Sequence, residues 1–533
     1  MVRAERFKSG FGLCFSENAM NRRTFLGALA GTAFTAAAGE PLAETTSGKV
    51  RGFVNSGILA FKGIPYGADT STRRFLPPMP PNPWAGIRET QEFGPIAPQP
   101  SPAGRPISED CLHLNLWTPG LRDRARRPVM VWFHPGAFTS GTSNELEADG
   151  ARLSRRGDVV VVTVNHRINS FGYLYLAEIG GPEFADSGNV GMLDLVLALK
   201  WVRDNIAEFG GNPGNVTIFG QSGGGAKCAT LMAMPEAHGL FHRVITQSGQ
   251  QITASRIVTA TKNALDFVSA LQLSRDRVSL LKTMSMEQLV KASRAPAYLG
   301  PVKDGRSLPR DPFDPDAPPL SASIPMILGN TLDETRTLIG RGDPSLFELT
   351  WDTLQAKLEA NSPFMGNLDR VKVIAVYRRM YPHYTASDVF FAATTASRSW
   401  RGQVIEAERR AFQPRGAAPT WVFQFNWRSP ADGGKWGAYH GLDVPFVFDN
   451  AVLVPEKAGA GEDARRLAAQ MSESWIAFAR TGNPNTKNLP NWPVFNLARR
   501  PTMVFDRKSK PVNDPRGLER ELFSQIPYVQ PGT

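Results

Sequence analysis

Three cysteines in 533 residues, Cys14, Cys111 and Cys228, are too few for a disulfide framework, and no pair has metal-ligand spacing. Histidine is scarce as well, at seven. Only His238 and His242 stand four apart; they lack the glutamate of H-E-x-x-H, and Gly239 weakens any helix there. No metal and no cofactor are expected. No apolar run reaches the ~20 residues of a membrane-spanning helix. The formal charge is +11, from 60 Lys+Arg against 49 Asp+Glu. It is spread along the chain with no basic block, which excludes the usual electrostatic footprint of nucleic-acid binding. Repeats and low-complexity tracts are missing too, so the chain is not a solenoid. What remains, 42% hydrophobic and 20% charged, has the composition of a globular enzyme.

The amino terminus reads as an address. Asn21-Arg22-Arg23-Thr24-Phe25-Leu26 precedes an uncharged, Ala- and Gly-rich stretch ending at Ala38. That stretch is too short to cross a ~30 Å hydrocarbon core but suits a signal sequence, and Ala36-Ala37-Ala38 offers an A-x-A cleavage site. Twin arginines before Phe-Leu resemble a twin-arginine export signal. Residues 1–43 are therefore expected to be a leader, and residues 44–533 a single catalytic domain. The location expected is outside a bacterial cytoplasm, periplasmic or secreted, with no stable membrane insertion after cleavage.

Along the body of the chain, the segments around 46–52 and 59–66 read as two short antiparallel edge strands with glycine turns. Pro128 to His134 and Asp158 to Val164 are continuous apolar runs, as central parallel strands require when both faces are covered. Gly191 to Phe209 carries apolar residues at helical spacing. Later strands fall at 244–247, 326–329 and 421–425. Such alternation implies a doubly wound, mostly parallel sheet. Helical insertions at about 253–300 and 344–415 are expected to cap the end of the sheet where ligands bind.

The chemistry centres on Val216-Thr217-Ile218-Phe219-Gly220-Gln221-Ser222-Gly223-Gly224. A buried strand runs into G-x-S-x-G and then into a helix-competent stretch, the context of a nucleophile elbow. A serine hydroxyl needs a base, and in such sheets the chain order is serine, acid, histidine. Only His383 and His440 lie far downstream. His383 falls within a helical insertion, whereas His440 follows a late strand, which makes His440 the base. Gly329-Asn330-Thr331-Leu332-Asp333-Glu334 supplies two carboxylates, and spacing alone does not choose between them. An oxyanion hole needs backbone N–H groups. Gly223 gives one, and Gly136 and Ala137, after the 129–133 strand, give two more. Pro135 cannot donate.

Longer stretches carry a resemblance. Phe209-Gly210-Gly211-Asn212-Pro213-Gly214-Asn215, running into the elbow, and Glu109-Asp110-Cys111-Leu112-His113-Leu114-Asn115-Leu116-Trp117 are similar to the two signatures of the type-B carboxylesterases, the cholinesterase/carboxylesterase family. The resemblance implies an α/β-hydrolase fold: a mostly parallel central sheet, helices on both faces, and helical insertions over the active site. It implies a serine ester hydrolase acting on a small-molecule ester, with Glu334 as the acid of a Ser222–His440–Glu334 triad. An amidase or carbamate hydrolase would share that triad, whereas a non-catalytic relative would lack part of it. The resemblance also places Ser248 behind the triad and Asp443 near His440. Gln221 stands where relatives often carry Glu, which disfavours cationic choline esters and favours neutral or anionic ones. Ala97 stands where a partner for Cys111 would be, so Cys111 is expected to be a free, buried thiol. Ala295 and Ala297 are expected to leave a roomy acyl wall, flanked by Arg294 and Lys303.

Overall fold

The computed structural model describes residues 40–100, 104–361 and 363–530; the leader motif and Cys14 lie outside these. Among the described residues there are fourteen strands, in chain order β1 Leu42–Thr45, β2 Gly48–Arg51, β3 Phe53–Asn55, β4 Ile58–Pro65, β5 Ile87–Glu89, β6 His113–Thr118, β7 Arg127–Phe133, β8 Val160–Val164, β9 Gly211–Gln221, β10 Arg243–Gln247, β11 Met326–Thr331, β12 Thr420–Phe425, β13 Pro501–Phe505 and β14 Lys510–Asn513. Eleven form one sheet, in the order β14-β13-β12-β11-β10-β9-β7-β8-β6-β4-β3. From β8 to β13 the neighbours run parallel, and the pairs at both edges are antiparallel.

This parallel core is why the central strands are apolar throughout. Along β7, Val129, Val131 and Phe133 pack on one face with Leu195, Leu199 and Val202 of the helix Val190–Asn205. Met130 and Trp132 point the other way, packing with Leu467, Met471 and Trp475 of the helix Glu462–Thr481. Side chains alternate along a strand, so a strand covered on both faces carries apolar residues at every position.

Two expectations shift. The segments near 46–52 and 59–66 do not pair with each other: β2 joins β1 and β5 in a separate three-stranded sheet, while β4 pairs with β3 and β6. Local alternation marks a strand but does not select its partner. The insertions are helical as expected, and the helices Arg370–Met380 and Ala386–Thr395 build part of a third apolar cluster around Phe390, Phe391 and Tyr377. No helix of the described residues is long and apolar enough to cross a membrane.

Candidate active site

Ser222 sits between the end of β9 and the helix Gly223–Leu231, at φ 55° and ψ −126°. A non-glycine residue there is strained and persists only where its surroundings over-determine it. They do so through close backbone approach. The Ser222 N–H donates to the Gln247 carbonyl of β10 at 2.7 Å. A Cβ on Gly220 would lie 2.4 Å from the Gly224 carbonyl carbon, and one on Gly224 would lie 1.9 Å from the Phe133 oxygen. Both glycines of G-x-S-x-G are therefore required by contact, and the turn lifts Ser222 to the wall of a cavity of about 440 Å³.

The loop after β7 reaches the same cavity. Gly136 (φ 104°) and Ala137 (φ 52°) both adopt left-handed backbone conformations. Their N–H groups have no protein acceptor among the described residues. The Gly223 N–H belongs to the first turn of its helix, where amides lack intrahelical partners. Beneath the loop lies Lys227, fully buried, whose Nζ donates to the Ala137 carbonyl at 2.7 Å and to the His134 carbonyl at 3.4 Å. Burial pushes the Lys227 ammonium down to about 7. His134 and His166 stack beside it with centroids 4.7 Å apart. Burial and then the Lys227 charge press His134 down to about 3.

His440 comes from the segment after β12, and its Nδ1 is hydrogen-bonded to Glu334 Oε2. Glu334 opens the short helix Glu334–Leu338 after β11. Its Oε1 accepts from the Thr331 N–H at 3.0 Å and from Asn330 Nδ2 at 3.1 Å. Burial alone would raise this carboxyl. The charge and hydrogen bond of His440, with hydrogen bonds from Ser248 and Asn330, outweigh it and hold the group below the usual carboxylate range. Asp333 turns elsewhere: its carboxylate accepts from the Ala438 N–H at 2.8 Å, and its own N–H donates to the Ala438 carbonyl at 2.9 Å. The two adjacent carboxylates thus separate, one against the histidine and one against the segment that carries it.

Three further residues surround this group. Gln221 Nε2 stands 3.2 Å from His440 Nε2. The Ser248 hydroxyl oxygen accepts from the Thr331 N–H at 3.3 Å. Asp443 is fully buried and accepts from Gln247 Nε2 at 2.8 Å. Burial, with the nearby Glu334 charge adding to it, pushes Asp443 up to about 6. Cys111 is buried and without a disulfide partner among the described residues. His383 lies exposed on the insertion, away from the cavity.

The expected acyl wall is built differently. Ala295 and Ala297 are exposed, and Tyr298 is what that segment contributes to the cavity. Arg294 borders a separate depression with Met286 and Lys291, and Lys303 pairs with Asp311 at 2.6 Å. The error came from placing neighbours in sequence as neighbours at the site. Sequence reasoning also missed Lys227 and Arg398. Lys227 carried a signal, a lone cation in an apolar helix directly behind the serine. Arg398, on the cavity wall, carried none, because nothing local marks which residue of an insertion turns inward.

A model of the carboxylesterase family matches residues 39–523. The para-nitrobenzyl esterase of Bacillus subtilis (strain 168) is 34% identical over 502 residues, covering 90% of this chain and 98% of that protein. The phenmedipham hydrolase of Pseudarthrobacter oxydans is 32% identical over 493 residues, covering 85% of this chain and 93% of that one. A crystal structure of a Geobacillus stearothermophilus carboxylesterase superposes with a TM-score of 0.80 at 35% identity, covering 90% and 99% of the two chains.

Proposed function

Because the chain belongs to the carboxylesterase family and is a carboxylesterase, we propose that it cleaves neutral or anionic esters through Ser222, His440 and Glu334. His440 removes the Ser222 proton as Oγ attacks the ester carbonyl carbon. The N–H groups of Gly136, Ala137 and Gly223 hold the resulting oxyanion, each contributing about 3 kcal/mol to the transition state. The C–O bond to the alcohol breaks as His440 returns the proton to the leaving oxygen. Water, deprotonated by His440, then attacks the acyl-enzyme and releases the acid. Glu334 keeps Nδ1 protonated, so that Nε2 serves as base, and it stabilises the imidazolium.

One juxtaposition supports this reading. A serine at positive φ on a strand-to-helix turn shares a cavity with a histidine whose Nδ1 is bonded to a buried carboxylate. Amides and carbamates fit the same chemistry, but the relatives named as esterases favour esters. Rapid mixing with p-nitrophenyl acetate tests it: an acyl-enzyme route gives a burst of one p-nitrophenolate per active site, and a route without that intermediate gives none. We also read the twin-arginine leader as an export signal; exchanging Arg22 and Arg23 for lysine should retain the protein in the cytoplasm, as fractionation would show.

A further inference from the structure

The cavity holding Ser222 has one Arg and no Lys, Asp or Glu among its lining residues. That cation is Arg398. It lies on a π-helical turn, Ala396–Trp400, inserted between the helices Ala386–Thr395 and Arg401–Ala411. π-Turns are rare, interrupt the regular hydrogen-bond ladder, and occur often at functional sites. Here the turn brings Arg398 and Ser399 to the cavity together.

Arg398 is underused by the protein. Among the described residues its guanidinium makes one hydrogen bond, to Ser399 Oγ at 3.3 Å, lies 5.8 Å from the Phe364 ring, and has no carboxylate within ion-pair distance. Neighbouring arginines are occupied. Arg401 donates to the Pro527 carbonyl at 3.1 Å, Arg409 pairs with Asp314 at 2.9 Å, and Arg410 donates to the Ile324 carbonyl at 2.7 Å. A guanidinium has five donors in a planar fork that matches a carboxylate. Burial lowers the Arg398 basicity, and the Glu334 charge only partly offsets this, so the side chain stays cationic but poorly solvated. A desolvated cation without a counter-ion favours an anion entering from the cavity.

We propose that Arg398, assisted by Ser399, is an anion subsite, and that the substrate carries a free carboxylate a few atoms from the scissile ester, as in a half-ester of a dicarboxylic acid. This rests on the ester-hydrolase reading above and replaces Arg294 and Lys303 as the source of any preference for anionic esters. The carboxylate binds as the fork's partner and stays unreacted. Ser222 attacks the ester carbonyl at the other end.

The test compares monoethyl glutarate with ethyl hexanoate, an uncharged ester of similar length, in the wild type, Arg398→Gln and Arg398→Lys. Arg398→Gln should lower kcat/KM for the half-ester by roughly 10- to 100-fold more than for ethyl hexanoate, the range for a lost hydrogen bond to a charged group. Arg398→Lys should recover part of that difference, since it keeps the charge but loses the fork. In the wild type the half-ester preference should shrink as salt rises toward 1 M, a readout that does not depend on either variant folding. Equal losses for both esters in Arg398→Gln, or a wild-type ratio that salt does not move, would overturn the subsite. A wild type that cleaves neither ester would overturn the ester-hydrolase reading itself, and the subsite with it.

Discussion

Lys227 Nζ donates to the Ala137 carbonyl at 2.7 Å, so a buried cation braces the loop whose free N–H groups face the Ser222 cavity. Lys227→Met keeps the length and removes the brace. Turnover should fall, by up to about 10²-fold if the loop shifts by ~1 Å, with kcat affected more than KM. Stability should respond in its own way. Because burial holds the folded-state value near 7, below the ordinary lysine value, the unfolded chain binds more protons between pH 7 and about 10. The wild type therefore carries its full penalty below pH 7 and loses it towards pH 10. Relative to the wild type, Lys227→Met should gain stability as the pH falls, measured by urea unfolding at pH 6.5 and 9.5. An unchanged kcat would remove Lys227 from any role at the oxyanion loop.

The neighbouring carboxylates give a sharper contrast. Glu334→Gln replaces the carboxylate that orients His440 with an uncharged amide that can donate to Nδ1 and favour the wrong tautomer, and should lower kcat by roughly 10⁴-fold. Asp333→Asn weakens the ties to Ala438 and Arg336 and leaves the one to His440 in place, and should cost far less. Steady-state kinetics on one p-nitrophenyl ester decides it; a reversed order of severity would mean that Asp333 is the acid.

What was legible in the sequence follows from how local each signal is. The elbow was readable because backbone contact forces both glycines of one short motif, Gly220 against Gly224 and Gly224 against Phe133 of β7. The central strands were readable because burial on both faces leaves only apolar residues at successive positions. The choice between Asp333 and Glu334 was not readable from spacing, since it depends on where the 437–440 segment passes; the family resemblance pointed to Glu334, and the geometry puts that carboxylate against His440. The acyl wall failed outright. Arg294 and Lys303 lie near Tyr298 in the chain but border other depressions, and Arg398 arrives from a separate insertion through a π-turn that has no sequence signature.

Asp443 offers a pH-dependent test. Its folded value is raised to about 6 from the ordinary 3.8, so the folded state binds the proton more tightly than the unfolded chain. That contribution is fully present below pH 3.8 and is lost as the pH rises through 6. Asp443→Asn should therefore stabilise the protein at pH 8 by up to about 3 kcal/mol and give no gain at pH 3.5. The Asn side-chain oxygen can still accept from Gln247. Urea unfolding at the two pH values measures this, and equal effects at both would contradict it.

The most direct test of the whole account is the fate of a fluorophosphonate. The wild type should take up one phosphonyl group per chain, lose esterase activity at the same rate, and yield on digestion a single modified peptide bearing the adduct at Ser222. Ser222→Ala should fold with an unchanged circular dichroism spectrum, take up none, and turn over p-nitrophenyl acetate roughly 10⁶-fold more slowly. An adduct on another residue, or a burst retained by Ser222→Ala, would contradict Ser222 as the nucleophile.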